Sequence, residues 1–236
     1  MPLSCRRAGS GFVVRHGAAP SGEVGGRLFL WHWSRQDLDL AALARLELLQ
    51  GSVTDDDVAG ASLVVGHLAG LGHRRIAHIE HHETDPTRIA EMPNAQRADG
   101  YRLAMRSLGL AAEIDVVSTS YTQRGGYEGA KELLARPRRP TAVFAGADIV
   151  AMGVLEAFTE AGLSVPGDVS VTGYDDTTFA AFGPISLTSV DQAGTEIGSN
   201  AARLLLERIA DRRKTSVQVK LSPSLVPRRT TAPPPE

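Results

Sequence analysis

The sequence predicts an α/β protein, a doubly wound parallel sheet with helices on both faces. From Ser52 onward, short apolar runs alternate with helical stretches of ten to fifteen residues, the pattern of repeated strand–helix–strand units. Runs such as Ile76-Ala77-His78-Ile79 and Ala142-Val143-Phe144-Ala145 have the size of buried strands. The stretch over 148–161 places Ile149, Val150, Ala151, Met152, Val154 and Leu155 almost all the way round its first half. A helix of that kind is buried on more than one side, beneath other helices or against a second subunit. Right-handed crossovers carry each helix back over the sheet.

Residues 1–51 give no regular pattern. Gly9, Gly11, Gly17, Gly22, Gly25 and Gly26 interrupt it, and Trp31-His32-Trp33 stands beside a polar SRQDLD. A short helix over 37–50 gathers Leu38, Ala41, Ala42, Leu46 and Leu49 on one side. The Gly9–Gly11 pair lacks the third glycine and the strand–helix context of a dinucleotide fingerprint. Asp56 or Asp57 then caps a helix with Val58, Ala61, Ser62, Val65, Leu68 and Ala69 inward, and Gly72 ends it before the strand at 76–79. A helix over 94–108 stops at Gly109, strand 114–118 follows, and a helix over 125–135 leads through Pro140 to strand 142–145. Helix 148–161, strands 169–173 and 187–190, helix 193–211 and two short strands near 217–226 complete the order. The closing TAPPPE, residues 231–236, reads as a solvated tail.

Composition narrows the function. A chain of 236 residues holds one or two compact units, and 42% hydrophobic with 22% charged residues excludes wholesale disorder. Lys+Arg 25 against Asp+Glu 27 leaves a net charge of -2, without the basic excess of a chain that carries its own DNA-binding surface. The single cysteine, Cys5, excludes an internal disulfide and a cysteine-based zinc site and fits a reducing compartment. MPLSCRRAGS looks superficially like a lipoprotein cleavage site, but no apolar stretch precedes Cys5. No run approaches the roughly eighteen apolar residues of a membrane span, so the chain reads as soluble and cytoplasmic.

Ligands of doubly wound sheets sit beyond the carboxyl ends of the strands, which directs attention to 80–97, 119–126, 145–148 and 174–178. Gly173-Tyr174-Asp175-Asp176 follows an apolar strand; its carboxylates suit sugar hydroxyls, a metal or acid–base work, and equally a capped turn. His78-Ile79-Glu80-His81-His82-Glu83 alternates between faces of an extended segment and lacks the spacing of a helical HExxH, so a solvated loop accounts for it better than a metal site. Arg97, in NAQRADGYRLAM, suits an anionic or hydroxyl-rich ligand, or is a solvated helix arginine. Tyr121 offers a ring face to a sugar or packs against the domain. Asp55-Asp56-Asp57 reads as a helix N-terminus, and Gly125-Gly126 is too isolated for a phosphate cradle. No nucleophile elbow, P-loop or catalytic triad is present, and adjacent carboxylates do not flank a bond as glycosidases require, so nothing points to an enzyme.

From Val53 to Thr231, about three quarters of the chain, the sequence resembles the effector-binding core of LacI/GalR-type bacterial transcription regulators. The matching pieces come in the family's order: VTDDDVAGASLVVGHLAGLGHRRIAHI, QRADGYRLAM, YTQRGGYEGAKELLA, PTAVFAGADIVAMGVLEAFTEAGLSVPGDVSVTGYDD, PISLTSVDQ, IGSNAARLLLERI and LSPSLVPRRT. The resemblance implies a periplasmic-binding-protein-like fold, two doubly wound parallel-sheet lobes joined by three crossings around a ligand cleft. By that analogy residues 52–82 with 192–215 form the first lobe and 83–191 with 216–230 the second, while 1–51 stay unassigned. Arg97 and Asp175 match positions that grip ligand hydroxyls, Tyr121 an aromatic position beside the ligand, and Gln192 a cleft residue at a crossing. Relatives often place Asn where this chain has Ala147, which leaves Asp148 as the polar group of that motif.

The implied function is a non-enzymatic ligand sensor, cytoplasmic and homodimeric, taking a small effector, typically a sugar, without cofactor, metal or membrane. Operator DNA is a partner only of a full-length form with a helix-turn-helix. Residues 1–51 match neither that DNA reader of roughly sixty residues nor the opening of the first lobe. The expectation is therefore a truncated first lobe, through a truncated, frameshifted or misassigned gene start or through genuine loss. The competing readings are a stand-alone solute-binding protein and a non-functional remnant.

Overall fold

The computed structural model describes residues 4–8, 11–15, 51–81, 93–210, 212 and 215–235. The helix expected over 37–50 lies outside them. The strands are β1 (Ser4–Ala8), β2 (Gly11–Arg15), β3 (Ser52–Asp55), β4 (Ile76–His81), β5 (Asp115–Thr119), β6 (Ala142–Ala145), β7 (Ser170–Thr172), β8 (Ser189–Asp191), β9 (Gln218–Leu221) and β10 (Ser224–Val226). The α-helices are α1 (Asp57–Gly70), α2 (Pro93–Ser107), α3 (Gln123–Leu134), α4 (Asp148–Glu160), α5 (Thr178–Ala181) and α6 (Gly194–Ile209).

They divide into two compact units. One comprises Met1–Thr54 and Thr195–Leu221. In it β1 pairs antiparallel with β2, a hairpin the sequence pattern did not announce, and β3 lies beside β9 with Ser52 N donating to Val217 O at 2.9 Å. The other comprises Asp55–Gly194 and Ser222–Glu236 and holds a parallel four-stranded sheet in the order β5-β4-β6-β7. The expected parallel sheet is therefore present.

Alternation along each strand sends residues to opposite faces. Ile76, Ala142 and Phe144 face a core shared with α1 and α2, through Ala61, Val64, Val65, Leu68, Tyr101 and Met105. Ala77, Ile79, Val143 and Ala145 face a second core shared with α3 and α4, through Ala130, Leu133, Val150, Val154 and Phe158. The chain thus winds both ways from β4, and the order reverses between β4 and β6. Local signals set the helix limits. The Asp56 carboxylate accepts from Ala59 N at 3.1 Å to cap α1, Thr122 Oγ1 accepts from Gly125 N at 2.9 Å to cap α3, and Gly72 and Gly109 adopt φ of 107° and 73° beyond α1 and α2.

The apolar α4 packs on the sheet beside α3, with Val150, Ala151, Val154, Ala157 and Phe158 buried and Ile149 exposed. Glycine makes that approach possible: a Cβ at Gly153 would stand 1.8 Å from Gln123 O, and one at Gly126 would stand 1.9 Å from Val150 O. Gly125-Gly126 is thus a packing device.

Two expectations need correction. The expected first lobe of 52–82 with 192–215 does not form one unit: Asp55–Gly194 cluster together without Thr195–Leu221, and β4 is hydrogen-bonded on both sides, to β5 and β6, so α1 and β4 belong with 93–191. Nor is the C-terminal segment solvated. His67 Nε2 lies 3.0 Å from Thr231 Oγ1, His73 Nε2 lies 2.8 Å from Ala232 O, and Ala232 N donates to Ser170 Oγ at 3.0 Å. Buried His73 and half-buried His67 find hydrogen-bond partners in this segment and hold it onto the domain.

Gly153→Val should destabilise this unit by about 1–3 kcal/mol or more, because backbone has to move to admit the side chain. Urea unfolding monitored by circular dichroism checks this; an unchanged midpoint would contradict the close α3–α4 approach.

Candidate functional site

The segments that follow β5, β6 and β7 carry polar or aromatic groups, and these meet Arg97 of α2 beyond β4 and β6, where the strand order reverses. Arg97 of α2 is at the centre and is only 5% exposed. Its Nε donates to Asp57 Oδ1 at 2.7 Å and its Nη1 to Gly146 O at 2.7 Å, just past β6. Nη1 also stands 3.2 Å from Asp175 Oδ1 as an ion pair. The guanidinium lies 3.7 Å over the Tyr174 ring, whose hydroxyl donates to Asp55 Oδ2 at 2.7 Å. One cation thereby joins α1, α2 and the ends of β6 and β7.

Asp175 is held from two further directions. Tyr121, in the turn after β5, donates its hydroxyl to Asp175 Oδ2 at 3.1 Å and meets His81 edge to face at 4.8 Å. Asp175 N donates to Val190 O at 2.9 Å. The turn adopts φ of 102° at Asp175 and 45° at Asp176, backbone conformations that cost free energy for any residue except glycine. Asp176 points elsewhere, 2.6 Å from Arg228 Nη1, so the adjacent carboxylates do not act as a pair.

Asp148, at the start of α4, lies beneath this turn and is 1% exposed. Its Oδ1 accepts from Ser189 Oγ at 2.6 Å, and its Oδ2 from Thr177 N and Oγ1 at 2.7 and 2.9 Å. Those bonds place it as a support for the 174–177 turn. A Cβ at position 173 would stand 2.3 Å from Asp148 Oδ1, so glycine is needed there. Gln192 follows β8, half-buried, and among the described residues makes no hydrogen bond to this cluster.

Burial governs the charges. It pushes Asp57 up to about 6 against the pull of Arg97, with Asp55 and Asp175 adding to the rise. Asp148 is also raised to about 6 by burial, against its hydrogen bonds from Ser189 and Thr177. Burial opposes the charge of Arg97, but Asp175 and Asp57 more than restore it, and the group stays cationic. The Tyr121 hydroxyl is raised by burial and by Asp175. His78, stacked on Phe144 at 4.5 Å, is pushed down to about 3 by burial and is neutral, with Nδ1 donating to Phe144 O at 2.9 Å.

Arg97, Tyr121, Asp148 and Asp175, singled out from the sequence, are thus brought together. Sequence reasoning passed over Asp55, Asp57 and Tyr174. A helix N-terminus needs one capping acid, and Asp56 supplies it; the surplus of Asp55 and Asp57 was the available signal. A surface concavity of about 420 Å³ lies away from the cluster, lined by Gln123, Arg124, Tyr127, Glu156 and Glu160.

Residues 65–231 match the family model of the periplasmic binding protein-like domain. HTH-type transcriptional repressor PurR of Erwinia tasmaniensis is 35% identical over 182 residues, covering 77% of this chain and 52% of that protein. PurR of Salmonella typhi is 36% identical over the same length and coverage. The chain spans about half the length of these relatives. Among solved structures, a LacI transcriptional regulator from a Rhodococcus species superposes with a TM-score of 0.76 at 38% identity, covering 86% of this chain and 77% of that one. A LacI-family regulator from Enterococcus faecium with bound ribose gives 0.69 at 32% identity, covering 78% and 65%. The CelR–cellobiose complex gives 0.69 at 31% identity, covering 78% and 55%.

Two outcomes follow from the site. Arg97→Met should cost about 3–5 kcal/mol, because it strands Asp57 and Asp175 without their cation; equilibrium urea unfolding measures it, and a loss below 1 kcal/mol would make the pair a surface-like contact. Between the ordinary 3.8 and about 6, folded Asp57 and Asp148 hold protons that the unfolded chain releases, so their contribution to stability falls as pH rises through that window. Asp148→Asn, neutral at every pH, should therefore gain on the wild type in melting temperature from pH 4 to above pH 6; a constant difference would contradict the buried carboxyl.

Proposed function

The chain belongs to the LacI-type family of periplasmic binding protein-like domains, and from that premise we propose that it is the effector-sensing core of a DNA-binding transcription regulator. The observation that carries this reading is the convergence of Arg97, Tyr121 and Asp175 from separate elements onto the loops beyond the strand ends, where doubly wound sheets bind ligands. In the proposed complex Asp175 accepts from ligand hydroxyl or N–H groups, Arg97 offers its Nη2 donors, and Tyr121 covers a ring face. Asp148 acts from beneath by holding the turn, and Gln192 contacts ligand where the chain leaves β8. Ribose and cellobiose in related structures support a carbohydrate effector.

The protein carries out no reaction in this reading; its output is conformational. The effector acts only to the extent that it prefers one conformation over another, and that difference sets its effect on DNA binding. DNA binding belongs to a full-length form with a helix-turn-helix, acting in the cytoplasm as a homodimer.

A thermal-shift screen of the purified chain against mono- and disaccharides and nucleosides tests the reading. A ligand at a hundred times its dissociation constant adds about 2.7 kcal/mol of stability, a shift readily seen. Asp175→Gly should abolish that shift while the free protein, though less stable for the lost ion pair, keeps a cooperative melt, since glycine adopts φ of 102° without strain and Asp57 and Gly146 O still hold Arg97. A variant that binds like the wild type would remove Asp175 from the site.

A further inference from the structure

The chain passes between its two units at Thr54–Asp55, Gly194–Thr195 and Leu221–Ser222. The turn that follows β7 is bonded to the segments adjoining all of these passages. Tyr174 donates its hydroxyl at 2.7 Å to Asp55 Oδ2, on the first residue beyond the first passage. Asp175 N donates to Val190 O at 2.9 Å and Asp176 N to Ser189 Oγ at 3.2 Å, both in β8, which leads to the second. The Asp176 carboxylate stands 2.6 Å from Nη1 of Arg228, just after β10, the strand that follows the third. Successive residues of one turn thus reach every passage.

The backbone there is held against its preference. Asp175 and Asp176 are left-handed, and so is Ala193, at φ of 59° beside the second passage, where Asp191 Oδ1 accepts from Ala193 N at 2.8 Å. β8 and β10 form one antiparallel ladder, with Asp191 opposite Ser224 and Ser189 opposite Val226. A backbone kept in a costly conformation by surrounding bonds has a relaxed alternative, and a ligand that favours one of the two shifts the balance. Asp175 also shares a planar peptide unit with each neighbour, so a change in its own dihedral angles redirects Tyr174 and Asp176. Burial and the Asp55 carboxylate raise the Tyr174 hydroxyl, which stays protonated and remains a donor.

We propose that the 174–176 turn is a relay: effector held by Asp175 sets the backbone at the passages between the units, and Tyr174 and Asp176 are positioning residues that carry this effect without touching the effector. The proposal rests on the effector-binding reading above. Tyr174 serves the first passage through Asp55, and Asp176 the third through Arg228. The second is reached through main-chain and Ser189 bonds that no side-chain change at 174 or 176 removes.

Hydrogen exchange on the purified chain, free and with ribose, cellobiose or adenosine, tests this. A probe that raises the melting temperature should slow exchange by about fivefold or more at 174–177 and also over 52–58, 189–195 and 219–226. Tyr174→Phe keeps the ring under Arg97 and removes only the hydroxyl. It should still bind the probe and keep the slowing at 174–177, but lose it over 52–58. Asp55→Ala breaks the same bond from the other end and should show the same loss. Asp176→Asn, whose side chain tolerates the left-handed backbone, should lose the slowing over 219–226 alone. Variants that melt lower yet keep the probe's effect on every stretch overturn the relay and make these bonds structural. A wild type in which a bound probe slows exchange at 174–177 only overturns it as well. In both cases the effector reading stands; if no probe moves the melting temperature, that reading fails and the relay with it.

Discussion

A guanidinium taken out of water has to be neutralised and hydrogen-bonded in place, and the groups that do this for Arg97 come from across the domain. Asp57 arrives from α1, Gly146 from the end of β6, and Tyr174 and Asp175 from the end of β7. A buried pair of this kind adds little net stability over an apolar contact but is costly to break. It therefore acts as a registration device. Through Arg97 and its carboxylates the helices on one face are tied to the strand ends. Tyr174 reinforces this from the other side, since it packs against Gly60, where a Cβ would stand 2.2 Å from its hydroxyl.

The same network supports backbone strain. Asp175 and Asp176 occupy a left-handed turn that is intrinsically unfavourable, and Asp148, Ser189 and Val190 hold it through hydrogen bonds. Strain persists where the surroundings over-determine the conformation, and here the result is that Asp175 aims at Arg97 and Tyr121 while Asp176 turns to Arg228. Two adjacent, chemically identical residues thus acquire different roles from backbone geometry alone. Asp55, Asp56 and Asp57 repeat the lesson: one accepts from a tyrosine, one caps a helix, and one pairs with arginine.

Position in the chain was a poor guide to which elements share a unit. Analogy with the two-lobe fold put 52–82 in a first lobe with 192–215. Yet β4 is an inner strand whose two edges are satisfied by β5 and β6, strands from the middle of the chain. Parallel sheets pair strands that are distant in sequence, and hydrophobic periodicity reports which face is buried without naming the neighbour. The last residues were misread for a related reason. TAPPPE has the composition of a tail, but His73 and Ser170 accept or donate where no local pattern predicts a partner.

The sequence by itself determined the α/β class, the order of strands and helices, the glycine stops at Gly72 and Gly109, and the identity of Arg97, Tyr121 and Asp175 as groups worth watching. These are local properties: period, capping, conformational preference, and the strand-end position that doubly wound sheets give their ligand groups. Only the tertiary structure decided which of them meet, that Asp148 supports the turn from beneath, and that Arg97 pairs with both Asp57 and Asp175. Charge balance and desolvation depend on distances between residues 40 or more positions apart, and no one-dimensional pattern carries those distances.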